Sequence, residues 1–274
     1  MKIEEHDGLR RYVNEKLRLD WSPEQVAGRI REVDRHLPGI STDGIYKFIR
    51  SCYGGPLVPF LRYGRKGKRK NGHAKAAPLT GRDFIEKRPK SVLKRGRFGH
   101  WEADFIVPGR DGSGALLVFV ERKSRYVLIF KLADRKVATV NLFLEKLLGA
   151  KLMVKSLTID NDVCFRHHAQ MSRILGAPIF FCHPYHSWEK GSVENMNKLI
   201  RQYVKKGSDI SKHADAEIKF AEDRLNDRPR KCLKFRTPRE IVEHYESRRK
   251  EIASMIKVVK KQKNAMVAPF GLRA

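Results

Sequence analysis

The stretch that follows Phe98 leaves this chain few ways to fold. Three runs in close succession, HWEADFIV, ALLVFVER and YVLIFKL, have the β-branched and aromatic content of strands, joined by turn-rich GRDGSG and the short KSR. Then the period changes. KVATVNLFLEKLLGA puts Val137, Val140, Leu144 and Leu147 on one side of a helix. SLTID reads as a strand, CFRHHAQMSRILGA as a helix, PIFFC as a strand, and the segment from about Trp188 to Lys205 as a long helix. Three antiparallel strands followed by alternating helix and strand predict an α/β domain, a mixed sheet with helices on its faces.

Three acids sit in this frame where acids fit poorly. Alternation along the first strand places Trp101, Ala103, Phe105 and Val107 on one face and Glu102, Asp104 and Ile106 on the other. A buried Asp in a strand interior needs a partner or a metal. Asp160 ends the β-branched SLTID, and Glu194 lies in WEKGSVENMNKLIRQYV, which reads as a helix opening after Gly191. Taken singly, each has a plain explanation: a surface acid, a turn residue and a helix-surface acid. The order of strands and helices nevertheless matches the ribonuclease H-like fold, and carboxylates on core strands with one on a following helix are a way to hold Mg²⁺.

Charge names the expected partner. The 274 residues carry a formal charge of +27, which points to a polyanion, since each Lys or Arg that neutralises a phosphate releases a counterion. No apolar run reaches the roughly 20 residues of a spanning helix, and the N-terminus MKIEEHDGLRR has no apolar signal region. A cytoplasmic, nucleoid-associated protein without a membrane partner is expected. Cys52, Cys164, Cys182 and Cys232 form no CxxC pair and read as reduced thiols.

Residues 1–55 read as a small helical domain. Residues 5–18 have helical spacing, SPEQVAGRIREV opens with Ser22 as cap and Pro23 at the first position, and STDGIYKFIRS is capped by Ser41 or Thr42. The tight break at LPGI makes a helix-turn-helix, its third helix entering the DNA major groove with Tyr46 and Lys47. Residues 56–97 read as a basic arm. From Arg62 to Arg97 fourteen Lys/Arg face two acids, a net of +12, and Arg65, Lys66, Lys68, Arg69 and Lys70 are its densest phosphate-tracking run. The catalytic core is expected over 98–210, and a helical extension with a basic tail over 211–274.

Several blocks together resemble the DDE transposases of bacterial insertion sequences, within the retroviral-integrase-like superfamily, and specifically the branch of IS-thirty type. They are GHWEAD at 99–104, LLVFVERKSRYV at 116–127, TIDND at 158–162, FFCHPYHSWEKGSVENMNKLIRQYVKKG at 180–207, LNDRPRK at 225–231 and TPREI at 237–241. SPEQVAGRI and STDGIYKFI resemble the part of that family's DNA-binding region nearest its catalytic core. The resemblance spans roughly residues 20–245, and the 33 residues between Asp160 and Glu194 suit it. It implies a two-metal polynucleotidyl transferase using Mg²⁺, with Mn²⁺ as a substitute. Asp104 would bridge two ions, and Asp160 and Glu194 would each complete one site. The implied reaction cleaves a phosphodiester at the end of a mobile element, then uses the freed 3′-OH to attack target DNA. Double-stranded DNA is the implied partner and a homo-oligomer the implied assembly, because two ends must be joined together.

Asn197, Lys198 and Arg201 share the helix face of Glu194 and are expected, with Lys205, to contact DNA. His183, Tyr185 and His186 are expected to border the site. Two other uses of these residues stay open: zinc held by Cys164, His167, Cys182 and His183, and a ribonuclease H-type nuclease acting on RNA–DNA hybrids. The chain also departs from the family pattern. Asp162 stands after Asp160-Asn161 where the family has Gly, Cys164 where it has Glu, Lys198 where Gly is common and Val193 where Asn is common. The segment starts after a helix-turn-helix that usually precedes it. A shortened, non-catalytic DNA-binding inhibitor is therefore the alternative function, and the turn after Asp160 is the expected weak point.

Overall fold

The computed structural model of the chain describes residues 2–61, 81–149, 153–183 and 186–266. Helices α1 (Lys2–Glu5), α2 (Asp7–Arg18), α3 (Pro23–Glu32) and α4 (Thr42–Arg50) come first, then the short α5 (Lys90–Leu93). Strands β1 (His100–Ile106), β2 (Ala115–Glu121) and β3 (Val127–Leu132) follow, then α6 (Val137–Gly149), β4 (Ser156–Ile159), α7 (His168–Leu175) and β5 (Ile179–Phe181). The chain continues through α8 (Gly191–Ile200), α9 (Asp215–Asn226) and α10 (Pro238–Met266).

The five strands form one sheet in the order β3-β2-β1-β4-β5. β1 runs antiparallel to β2 and β2 to β3, whereas β1–β4 and β4–β5 are parallel. A meander of three strands extended by two parallel strands, with helices on both faces, is the ribonuclease H-like sheet. Alternation sorts the faces as read. Trp101, Ala103, Leu117 and Phe119 pack with Val140 and Leu144 of α6 and Met171 of α7. Ile106, Leu116, Val118 and Val120 pack with Val193, Met196 and Ile200 of α8 and Ile218 and Leu225 of α9. β1 is central and inaccessible from either edge.

β3 is an edge strand, and α9 covers it with side chains. Asn226 accepts from the Val127 N–H (2.9 Å) and donates to the Val127 carbonyl (2.8 Å), while Glu222 accepts from the Ile129 N–H (2.7 Å). Both are buried, so backbone groups that an edge would leave open are satisfied. The long helix read from Trp188 to Lys205 is shorter than expected. One 3₁₀ turn over Ser187–Lys190 precedes α8, which ends at Ile200 so that Tyr203 and Val204 can turn back onto the core.

α1–α4 close around their own apolar centre, which includes Leu9, Val13, Val26, Ile30, Ile45 and Phe48. Ser22 and Gln25 form a reciprocal capping box, and Ser41 caps α4 through the Gly44 N–H. This unit docks on the start of α10. Phe235 lies over Gly28, where an added Cβ would meet its ring at 2.2 Å, and Arg29 grips Glu240 with two hydrogen bonds of 2.7 and 2.8 Å. The second part of the predicted arm also differs from expectation. Residues 81–97 pack on the core: Phe84 bridges to Phe181 beside β5, Val92 is buried, and Arg88 donates to Thr158 Oγ1 at 3.1 Å. The apolar residues Phe84, Ile85 and Val92 supply what a purely charged arm lacks.

Candidate active site

β1 carries two acids two residues apart on the face toward α8, and they do different things. Glu102 is fully buried, and its Oε2 accepts from the Ser192 and Val193 N–H groups, each at 3.0 Å. These are free donors of the first turn of α8, so a strand carboxylate caps the helix and complements its positive end. The other oxygen of Glu102 lies 3.3 Å from Arg122 Nη1. Asp104 reaches the same helix further along: Asn197 Nδ2 donates to its Oδ2 at 2.8 Å. Register along β1 thus sets where α8 sits.

Asp160 follows β4, the parallel neighbour of β1, and this brings it beside Asp104. One ammonium joins them: Lys190 Nζ lies 3.0 Å from Asp104 Oδ1 and 3.0 Å from Asp160 Oδ2. The Lys190 side chain is only 7% exposed. Burial alone would lower its pKa, but the two carboxylates outweigh it and hold the lysine above its ordinary value. Asp104 shifts upward, because burial and the charge of Asp160 together exceed the attraction of Lys190. Lys190, Glu194 and Asn197 are spaced four and three apart and so share one face of the helical segment. Glu194 is half-exposed there and pairs with Lys198 at 2.8 Å.

The remaining sequence-predicted residues divide by place. Arg201 donates to the carbonyls of Val107 (3.2 Å) and Lys205 (3.2 Å), tying the end of α8 to the end of β1, and the Lys205 side chain is exposed. Tyr46 and Lys47 are exposed on α4, away from Ile45, Phe48 and Ile49. Arg65, Lys66, Lys68, Arg69, Lys70 and Tyr185 lie outside the described residues. The turn after Asp160 does not need the missing glycine. Asp162 has φ −64°, its N–H donates to Asp160 Oδ1 (3.1 Å), and its own carboxylate accepts from the Cys164 N–H (2.9 Å). An Asx-type turn replaces the glycine turn.

The zinc set of Cys164, His167, Cys182 and His183 does not assemble. Burial pushes both the Cys164 and Cys182 thiols up to about 12, which disfavours thiolate ligands. Among the described residues, the group with ligand atoms all within 4.8 Å of one another is His183, His186 and Glu189. His183 Nδ1 lies 2.9 Å from Glu189, its Nε2 2.8 Å from Glu86, so these groups already satisfy one another.

The acids fit a hard cation. Asp104 and Asp160 offer oxygen donors only, as Mg²⁺ requires. Glu194, one helical turn beyond Lys190, is turned to Lys198, and the three acids do not close to within 4.8 Å of one another. Asn197 Oδ1 is a buried oxygen without a hydrogen-bond partner beside Asp104, and a single positive charge already stands between the aspartates. Lys190 and Glu102 escape a sequence reading. The available signal was spacing: Lys190 lies one helical turn before Glu194, and Glu102 shares the β1 face of Asp104.

No protein-family model matches the chain. Among curated proteins it is 38% identical over 240 residues to the transposase for insertion sequence element IS4351 of Bacteroides fragilis, covering 85% of this chain and 72% of that one. It is 34% identical over 249 residues to the transposase InsI for insertion sequence element IS30C of Escherichia coli K12, covering 86% and 64%. Against the transposase for insertion sequence element IS1086 of Cupriavidus metallidurans the identity is 30% over 244 residues, covering 85% and 70%. The chain therefore spans 64–72% of the length of these relatives. A crystal structure of the catalytic core domain of BIV integrase aligns with 55% of this chain and 97% of its own, at 22% identity and a TM-score of 0.44. The relatives put the chain among the insertion-sequence transposases, as the residue blocks implied. Within that class it belongs to the IS30 family.

Proposed function

We propose that this chain cleaves DNA at the ends of an insertion sequence and joins the freed 3′-OH to target DNA, with Asp104, Asp160 and Glu194 as its metal-holding acids. The observation that carries the reading is the convergence of Asp104 and Asp160, from two adjacent parallel strands, on one ammonium of the segment that bears Glu194. Mg²⁺, or Mn²⁺ in its place, would supply the activation of an attacking oxygen and the stabilisation of the leaving one in an in-line displacement, two ions serving best. The protein's own part is positional. Glu102 fixes the start of α8, Asn197 orients Asp104, and Lys190 keeps the aspartates from repelling each other before a metal arrives.

Double-stranded DNA is the partner in this reading. Tyr46 and Lys47 on α4 present one exposed contact surface, while Asn197 and Lys198 on α8, and Arg201 and Lys205 just beyond its end, line the approach; the basic run at 65–70 adds phosphate affinity. Joining two ends asks for a homo-oligomer on DNA and a nucleoid-associated location in the cytoplasm. Among the described residues, no helix is long and apolar enough to cross a membrane.

A labelled duplex carrying the terminal repeat, incubated with the full chain and Mg²⁺ or Mn²⁺, tests this. Wild type should nick or join it, and Asp104→Asn should be slower by about 10²–10³-fold, the scale of losing one preorganised charge-stabilising group. Equal activity in the two proteins sinks the catalytic assignment. Binding without cleavage in either favours the inhibitor reading.

A further inference from the structure

The start of α8 borders a second feature that the reaction above does not use. Two adjoining cavities of about 570 and 240 Å³ share Arg95 and Gly191 as lining. Arg88 and Arg122 wall the larger with Arg95, and Arg125 and Arg230 join Arg95 in the smaller, Arg230 already donating to the Leu225 carbonyl at 2.8 Å. Arg88 and Arg122 are only 5% and 4% exposed. The guanidinium groups of Arg88, Arg95, Arg122 and Arg125 thus gather about these two cavities, and Arg122 faces the buried Glu102 at 3.3 Å, without hydrogen-bond geometry. Glu102 is already committed to the Ser192 and Val193 amides. Two acids, Glu86 and Glu189, also line the larger cavity, and both are held by His183.

The arginines are short of acceptors as well as of charge. Arg122 Nε and Arg88 Nε are buried with no hydrogen-bond partner, although Arg88 Nη1 reaches Thr158 and Arg125 Nη1 reaches Ser192 Oγ at 2.7 Å. Buried nitrogens of this kind call for an anion or water. Burial lowers the pKa of Arg88, Arg95 and Arg122, and Arg95 is pressed further down by Arg125 and Arg122. Arg95 and Arg125 also hold left-handed backbone, φ 50° and 64°, which side-chain-bearing residues seldom adopt without a local reason.

We propose that Arg88, Arg95, Arg122 and Arg125 form a phosphodiester pocket that grips the DNA backbone next to the active site. Planar guanidinium forks match phosphate oxygens in pairs, and several such forks in a partly dry pocket make the match strong. Place decides the source of the phosphate. Gly191, common to both cavities, directly follows Lys190, whose ammonium touches Asp104 and Asp160. A strand with its reacting phosphodiester at those acids would lay a neighbouring phosphate over the arginines. The proposal rests on the DNA-processing function above.

Salt titration of duplex binding by the full chain, read by fluorescence anisotropy, tests it. Each phosphate contact contributes about −0.9 to the slope of log K against log salt. Arg95→Gln, at an exposed position, should reduce the slope by about 1, and Arg95→Gln with Arg125→Gln by up to about 2. Unchanged melting temperatures confirm that both variants are folded. Inorganic phosphate should raise the melting temperature of wild type, at matched ionic strength, and do so less for the double variant. Unchanged slopes in both variants overturn the proposal, and phosphate stabilisation with unchanged slopes reduces the pocket to a free-anion site. A wild type that binds no duplex overturns this proposal and the function together. Smaller variant slopes in a protein that never nicks support the pocket while defeating catalysis.

Discussion

A lysine ammonium 3.0 Å from each of two aspartates neutralises charge that a divalent cation would otherwise meet bare. Removing one partner from a mostly buried cluster leaves unpaired charge behind, a cost of up to 3–5 kcal/mol in fully buried cases. Asp104 and Asp160 are partly open to water, so Lys190→Gln should destabilise the metal-free protein by about 1–3 kcal/mol. In compensation the variant should bind Mn²⁺ about tenfold more tightly, since no ammonium has to leave first. Melting curves with and without metal, together with calorimetry, measure both effects, and equal metal affinity would remove Lys190 from this role. At this scale Asp104 was legible in the sequence because an acid inside a strand needs a reason. Lys190 was not, because one lysine among many in a basic chain has no signature until α8 is packed. The turn after Asp160 misled for a related reason: a missing glycine matters only where φ must be positive, and Asp162 sits at −64°.

Among the secondary structure elements, the start of α8 is held to β1 by the Glu102 carboxylate. Glu102→Gln keeps the side-chain shape and removes the charge that caps α8 and faces the buried Arg122. It should cost about 2–4 kcal/mol and speed hydrogen exchange at the Ser192 and Val193 amides. DNA nicking should fall by about 10–100-fold, the scale seen when groups that hold a site's ligands in position are lost. Normal exchange at those two amides would mean the cap is not needed. Strand periodicity was readable because each β-run alternates cleanly between two faces. The cover that α9 gives the β3 edge was not, because that part of its work falls to polar residues, Glu222 and Asn226, and a periodicity search looks for apolar ones.

Across the whole molecule, the helical N-terminal unit and the start of α10 are fastened by Arg29 and Glu240. Burial would raise the Glu240 carboxyl, but the two hydrogen bonds from Arg29 outweigh it and hold it below 4.5. A depressed carboxylate contributes stability that is complete above its ordinary value and is lost as pH falls through its folded value. Acid below about pH 4.5 should therefore loosen this docking. Limited proteolysis between residues 30 and 40 at falling pH should show it, and Arg29→Met should show the loosening already at neutral pH. An identical pH profile in that variant would remove the pair from the docking. None of this was visible in the chain, since Gly28 and Phe235 meet only through the tertiary fold.

The two acids of β1 have a consequence for how such a protein can change over time. Side chains two residues apart on a strand face the same way, so inserting one residue between Glu102 and Asp104 would send the second to the opposite face. The insertion would keep the helix anchor and misdirect the acid that Asn197 and Lys190 hold. Loops can lengthen and surfaces can drift around such a strand, but its spacing behaves like a gauge, and copies in which it changes by one residue would be inherited as relics.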